Sequence, residues 1–188
     1  NGSDVRYVER LEARLDNSEI SAYYVDCGIT YNGAATTSIT GLTHLEGKAV
    51  AVLADGNVVK GLSVSGGSVT LPEAASVVHV GLPYTATIKT LGITTGQQDD
   101  YNSLKNVSSL TVSFLKSRGG FVGPKLDDLR EFRPRFVSDS GDTIELKTFE
   151  NEIAIRPDWN QNGAVYFQQQ DPLPCAILAI TPEFDLSD

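Results

Sequence analysis

The 188-residue chain contains no methionine, two cysteines, two histidines and one tryptophan. Two cysteines do not make the disulfide framework that holds small secreted domains together, and only a single Cys27–Cys175 bridge remains as an alternative. We expect Cys175, which begins an apolar run, to pack as a small hydrophobic side chain. Neither cysteine has a basic sequence neighbour that would activate a thiolate. Because even position 1 is not methionine, we expect a fragment of a larger protein.

The two histidines, His44 and His79, are far apart and are not accompanied by a Cys-x-x-Cys or His-x-x-x-His pair. A zinc site would need two further ligands at suitable spacing, so we predict no bound metal. His79 lies in the apolar run Val77–Val80, which predicts a partly buried, hydrogen-bonded residue of a strand, and His44 is assigned to a turn.

The motifs that carry common enzyme chemistry are also missing. Ser65–Ser68 and Arg118–Gly120 are glycine-rich, but neither leads into a helix that could bind phosphate, and we interpret both as turns. The chain has no G-x-S-x-G motif. A glycosidase pair of carboxylates is the open alternative, but the acids are scattered over predicted turns and the C-terminus. We therefore predict no catalytic residues and no cofactor.

The net charge is −9, from 15 basic and 24 acidic residues. An acidic chain repels polyanions, so specific nucleic-acid binding is not expected. No apolar run approaches the roughly 20 residues of a membrane-spanning helix, and we predict no membrane insertion.

Short apolar runs separated by frequent turn residues are what the sequence does contain. Between Tyr23 and Leu91, glycines and prolines separate runs of roughly 4 to 7 residues, which favours strands over helices. We predict a mostly β fold with few helices: a small β-barrel-like module at 23–95 followed by a β-rich domain at 96–188. Residues 1–22 are predicted to be a linker or a strand, and the polar segment after residue 91 suggests the boundary.

Three dipeptides predict hairpin turns. Asp55-Gly56 is the strongest signal, because both residues tolerate the positive φ of a type I′ turn. Gly119-Gly120 follows a strand in which Leu110, Val112 and Phe114 alternate with polar residues, and it predicts a hairpin back through Phe121 and Val122.

Asn162-Gly163 predicts a hairpin between the runs around Ile153 and Val165. The segment Asp158–Gly163 also matches the opening D-x-N-x-N-G of a calcium loop. The twelfth position of such a loop is Gln169, which cannot supply the bidentate carboxylate, so the turn is the preferred interpretation.

Aromatic side chains provide one further alternative. Trp159 and Tyr166 could form a surface on which sugar rings stack, although aromatic residues more commonly pack in cores and interfaces.

The run Thr43–Val59, preceded by Arg6–Glu12 and Val25–Gly33, resembles a module that recurs in tail proteins of short-tailed bacteriophages. This module is named for its likeness to the first catalytic cysteine half-domain of ubiquitin-activating enzymes. The likeness continues through Leu110–Gly123 and Gln169–Ile180, and thus covers nearly the whole chain. It concerns a non-catalytic module and implies no ubiquitin chemistry.

The resemblance implies a non-enzymatic structural protein of a phage or prophage tail, of the nozzle or tube type. Its expected location is the virion tail, after assembly in the host cytoplasm. Its expected partners are other copies of itself, arranged as a homo-oligomeric ring in the full-length protein, and neighbouring tail proteins. A receptor- or glycan-binding module of the tail is the alternative.

Overall fold

A computed structural model describes residues 22–94, 96, 103–132 and 146–187. The described residues form eleven strands and one short 3-10 helix, Thr43–Leu45. In chain order the strands are β1 (Asp26–Thr40), β2 (Ala49–Ala54), β3 (Asn57–Ser63), β4 (Ser68–Leu82), β5 (Ala86–Lys89), β6 (Lys105–Ser117), β7 (Phe121–Gly123), β8 (Arg130–Glu131), β9 (Lys147–Ala154), β10 (Tyr166–Gln169) and β11 (Ala176–Leu186). The predicted mostly β fold is confirmed.

The strands form three antiparallel sheets, in the orders β1-β4-β2-β3, β5-β10-β7-β8 and β11-β6-β9. In the first sheet, the pairings within the described residues leave β1 and β3 at the edges. That sheet is therefore open, and no closed barrel is seen in the described part of the chain. The same residues include no helix with the length and apolar character of a transmembrane span.

The chain divides into two compact units, and the boundary in the sequence lies between Leu82 and Pro83. The polar segment had suggested a boundary near residue 95 instead. The difference arises because β5 pairs with β10, a strand of the second unit, through the register Ala86↔Gln169 to Lys89↔Tyr166. A short strand carries no sequence signal for a partner strand about 80 positions away. Residues 1–21, which belong to the predicted linker or strand, lie outside the described residues.

The first unit is built on the long antiparallel pair β1 and β4, each of 15 residues. These strands are longer than the runs that the glycine punctuation predicted. Gly28 and Gly33 lie within β1, next to the register shifts Asp26/Ile29 and Asn32/Thr36. Such shifts are β-bulges or similar irregularities, which take up extra residues without ending the strand. Here, glycine marks irregularities within a strand.

The core of the first unit is aliphatic, and each fully buried Val or Leu side chain contributes roughly 1.5–3 kcal/mol of transfer free energy. Its members come from all four strands of the sheet or their connections, and include Ile39, Leu42, Val52, Val69, Val78 and Val80. The predicted Asp55-Gly56 hairpin is confirmed: Ala54 pairs with Asn57, and the two turn residues have φ values of 45° and 77°.

The second unit contains the other two sheets, which share one core. Leu110, Val112 and Phe114 of β6 are buried, as their alternation with polar residues predicted. They pack with Val122 of β7 and Phe167 of β10 in the same cluster. The ring of Phe114 also stacks with those of Phe132 and Phe149, at 5.0 Å between centroids in each case.

Two predicted hairpins in this unit are wrong. Gly119-Gly120 connects β6 to β7, but these strands belong to different sheets, so the glycines carry the chain from one sheet to the other. Similarly, β9 pairs with β6, whereas β10 pairs with β5 and β7. The segment around Asn162-Gly163 is thus a crossover between sheets. Turn residues indicate a change of direction, but they do not specify which strands pair.

Candidate functional site

Both histidines have structural partners. His79 in β4 is only 3% exposed, its Nδ1 lies 2.8 Å from Thr30 Oγ1, and its ring stacks on Tyr23 at 3.8 Å. The predicted hydrogen-bonded strand residue is therefore confirmed, and it is more deeply buried than expected. His44 lies in the 3-10 helix, with Nε2 2.9 Å from the carbonyl oxygen of Cys27, a residue at φ 51°. In the described residues, no group of three or more His, Cys, Asp or Glu side chains could hold a metal ion.

The Gly66-Gly67 pair is a turn, as predicted, with φ values of 61° and 68°. Its two successive amides form a small anion-binding concavity, which the chain fills with its own carboxylate. Gly66 N donates to Glu46 Oε1 at 2.9 Å, and Gly67 N donates to Glu46 Oε2 at 2.7 Å. The turn amides are therefore engaged within the fold, and sequence reasoning did not identify Glu46 as their acceptor.

Asp55 has a similar structural role. Its carboxylate accepts hydrogen bonds from Val77 N at 2.8 Å and from Ser76 N at 3.1 and 3.2 Å. These amides lie just beyond the last β2–β4 pair, Ala54↔Val78, so the side chain supplies an acceptor where the β2–β4 pairing ends. Asp55 thus joins the β2–β3 turn to β4.

Both cysteines are free thiols. Cys175 is exposed, contrary to the expectation that it packs as a small hydrophobic residue. Even so, Phe167 and Ile177 line the same shallow groove, and partial burial of the sulfur there raises the pKa of Cys175 to about 11. The thiol is consequently protonated at neutral pH and is a poor nucleophile.

The segment 156–163, named here the Trp159 loop, is held by a side-chain-capped turn. Asn160 Oδ1 accepts from Gly163 N at 2.7 Å and from Asn162 N at 3.0 Å, and Gly163 has φ 58°. Asn160 Nδ2 donates to Asp158 Oδ2 at 3.0 Å. Two of the oxygens that a calcium ion would need, Asp158 Oδ2 and Asn160 Oδ1, are thus engaged in hydrogen bonds within the loop, which favours the turn interpretation.

Two buried polar residues at the start of β6 anchor this loop. Lys105 is 2% exposed, and its Nζ donates to Gln161 O at 3.0 Å. Asn106, also buried, accepts from Asp158 N through Oδ1 at 2.9 Å. The backbones of Lys105 and Asn160 form a reciprocal pair of hydrogen bonds of 2.7 and 3.0 Å. Sequence reasoning missed both anchors, because a lysine at the start of an alternating strand looks like a solvated residue.

Two ion pairs connect the Trp159 loop to residues 124–128, named here the Lys125 turn. Lys125 Nζ lies 2.7 Å from Asp158 Oδ1, and Arg156 Nη1 lies 3.0 Å from Asp128 Oδ1. The hydrogen bond that Lys125 donates lowers the pKa of Asp158, and the same bond raises the pKa of Lys125. Both loops belong to the second unit, so the pairs fix their relative positions on its surface.

The side chain of Trp159 is 48% exposed, although hydrogen bonds hold the backbone on both sides of it. Tyr166, the other aromatic residue of the alternative sugar-stacking surface, makes no ring contact with Trp159 in the described part of the chain. Instead, Lys89 Nζ lies over the Tyr166 ring at 5.4 Å. Most of the other exposed residues of the Trp159 loop and the Lys125 turn are charged or carry amides, and Leu126 is the large apolar exception.

Comparison of the chain with protein-family models and with curated proteins finds no match.

Proposed function

We propose that this chain is a non-enzymatic structural module of a short-tailed phage tail, of the nozzle or tube type, which packs against copies of itself and neighbouring tail proteins. The resemblance of the segments around Thr43–Val59 supplies the tail assignment. The observation that carries the packing role is the distribution of exposed apolar side chains. Within the described residues, every large apolar side chain that is exposed lies in the second unit: Tyr84, Ile88, Leu91, Leu104, Leu126, Trp159, Leu178 and Leu186.

Three of these side chains lie on strands at sheet edges, and Leu186, at the end of β11, is the least exposed of them at 41%. Ile88, 54% exposed, lies on β5, and Leu178, 62% exposed, lies at a bulge in β11. Ile88 pairs with the buried Phe167, and a shallow apolar groove runs between them and Ile177. An edge strand presents unpaired backbone groups as well, and such edges are usually covered or blunted. A neighbouring subunit would cover both the edge and the apolar side chains.

The polar side chains that could perform chemistry support the same proposal. His44, His79, Glu46 and Asp55 each form a hydrogen bond with a group of the first unit. A rigid, turn-rich β scaffold is suited to repeated packing around a rotational axis, where a heterologous contact that closes generates a ring.

The test places Leu178→Asp and Ile88→Asp, separately, in the phage that encodes this chain. We expect both substitutions to reduce the number of tail-complete particles, because each places a charge in a subunit contact. Thr70→Asp, at an exposed position of β4 in the first unit, is the control and should assemble normally. Thermal unfolding of the purified variants separates a packing defect from a folding defect.

Two results would contradict the proposal. One is that mass spectrometry of purified particles does not detect the chain. The other is that both apolar-to-Asp variants assemble as well as Thr70→Asp.

A receptor- or glycan-binding module is the second candidate. One observation favours it, the half-exposed side chain of Trp159 on a hydrogen-bonded loop.

A further inference from the structure

We propose that the Trp159 loop and the Lys125 turn form a binding site for a neutral saccharide, in which one pyranose ring stacks on the indole of Trp159. The site adds a ligand to the packing role and does not depend on it, because its residues lie in the loops 124–128 and 156–163 and not on the edge strands β5 and β11.

Hydrogen bonds hold the backbone on both sides of Trp159. Its neighbour Asp158 donates N–H to Asn106 Oδ1 at 2.9 Å, and its other neighbour, Asn160, is paired with Lys105 through two backbone bonds. A side chain presented on a fixed backbone loses little conformational entropy when it binds. Half of its surface is nevertheless left exposed, at 48%. The loop therefore holds a large aromatic face ready for contact.

The two residues that anchor the Trp159 loop are polar and buried. Burying an ammonium group and an amide is unfavourable unless hydrogen bonds compensate, and lysine is rarely buried. Here Lys105 and Asn106 hold the Trp159 loop through Gln161 O and Asp158 N. Departures from the usual sequence rules tend to occur at functional positions. The burial of these polar groups thus indicates that the conformation of the Trp159 loop has a functional role.

The Trp159 loop and the Lys125 turn combine an exposed aromatic ring with polar side chains. A pyranose ring offers one face of C–H groups and a rim of hydroxyls, and the electron-rich face of an aromatic ring attracts such C–H groups. The Lys125–Asp158 and Arg156–Asp128 pairs place ammonium, guanidinium and carboxylate groups in the same two loops. These groups can donate to and accept from sugar hydroxyls. Since the cations are paired and the chain carries −9, an acidic glycan is disfavoured.

A protein partner fits this surface less well. Leu126 is the other exposed apolar side chain in the two loops, and most of their remaining exposed positions are charged or carry amides. The centres of protein interfaces are depleted in charged residues. A single aromatic face with a polar rim matches a sugar ring more closely.

The experiment uses the fact that Trp159 is the only tryptophan of the chain, so its fluorescence reports this site alone. Maltohexaose, chitohexaose and mannohexaose are titrated separately, and polygalacturonate serves as the acidic comparison. We expect a saturable change of emission with at least one neutral oligosaccharide and none with polygalacturonate. By calorimetry, Trp159→Ala should weaken binding about tenfold or more, the effect of losing one stacked ring. Leu178→Ala, an exposed apolar residue outside the site, should bind like the parent chain.

Three results would overturn the proposal. The first is no saturable change with any of the three oligosaccharides up to about 10 mM, a concentration above which binding is too weak to be specific. The second is an unchanged affinity in Trp159→Ala. The third is an emission change that depends on protein concentration without sugar, which would assign Trp159 to a contact between copies. A failed titration leaves the tail-assembly test unaffected, because that test depends on Ile88 and Leu178.

Discussion

Asp158 shows how a single side chain joins several features of this surface. Its carboxylate binds Lys125 and Asn160, and its backbone N–H binds the buried Asn106. The sequence predicted a turn here, with a calcium-binding loop as the alternative. The carboxylate instead has an ammonium partner from a loop more than 30 positions away, which the spacing of D-x-N-x-N-G does not reveal.

The lowered pKa of Asp158 makes a pH-dependent prediction. The Lys125–Asp158 bond is fully present above the ordinary aspartate pKa of about 3.9 and is lost as the pH falls through the lowered value in the folded chain. We therefore expect Trp159 emission to change with a midpoint below about 3.9. In Lys125→Met the midpoint should move upward, and only partly, because Asn160 still donates to Asp158.

Lys89→Met, which removes a cation of β5 that has no part in the pKa shift of Asp158, is the control and should leave the midpoint where it is in the parent chain. Circular dichroism followed in parallel separates this change from acid unfolding. An identical midpoint in the parent chain and in Lys125→Met would show that Lys125 does not set the ionisation of Asp158.

At the scale of elements, the long pair β1 and β4 depends on close backbone contact. Gly81 in β4 has no room for a side chain: a Cβ there would lie 2.6 Å from Asp26 O and 2.7 Å from Val25 Cγ2. Gly81 also faces Ala51 of β2, so the strand cannot move away without disturbing a second pairing. Glycine at this position thus lets the residues before β1 pack against β4.

Gly81→Ala is accordingly expected to destabilise the first unit by about 2–3 kcal/mol, the usual cost of forcing atoms into a packed site. Gly47→Ala is the matched control: its φ is 73°, but no atom lies within 4 Å of an added Cβ. It should cost about 1 kcal/mol, from the left-handed backbone alone. Urea unfolding of both variants measures the difference. Equal losses would contradict the steric explanation.

At the scale of the whole molecule, the chain contains two units with separate cores. Leu42 and Leu110 are matched probes, because both are leucines and both are almost completely buried, one in each core. Leu42→Ala and Leu110→Ala should each cost about 2–5 kcal/mol. Hydrogen exchange followed by mass spectrometry should show faster exchange only in peptides of the unit that carries the substitution. Faster exchange in both units from either variant would indicate a single cooperative unit.

Local features of the fold were predictable from sequence, and pairings were not. The Asp55-Gly56 hairpin and the alternation of Leu110, Val112 and Phe114 were read correctly, because each depends on a few consecutive residues. The hairpins at Gly119-Gly120 and Asn162-Gly163 were wrong, because a turn signal does not say which sheet receives the next strand. Of the candidate site, the sequence indicated Trp159 and its turn, but not the anchors Lys105 and Asn106.

The sequence by itself determined that the described chain is rich in strands, since alternation and turn residues act over short distances and need no partner. Only the tertiary structure decided that β5 belongs to the second unit, that Glu46 fills the Gly66-Gly67 turn, and that a buried lysine holds the Trp159 loop. Each of these contacts joins residues 20 or more positions apart. Their formation depends on how whole sheets pack, and not on the preferences of the residues that meet.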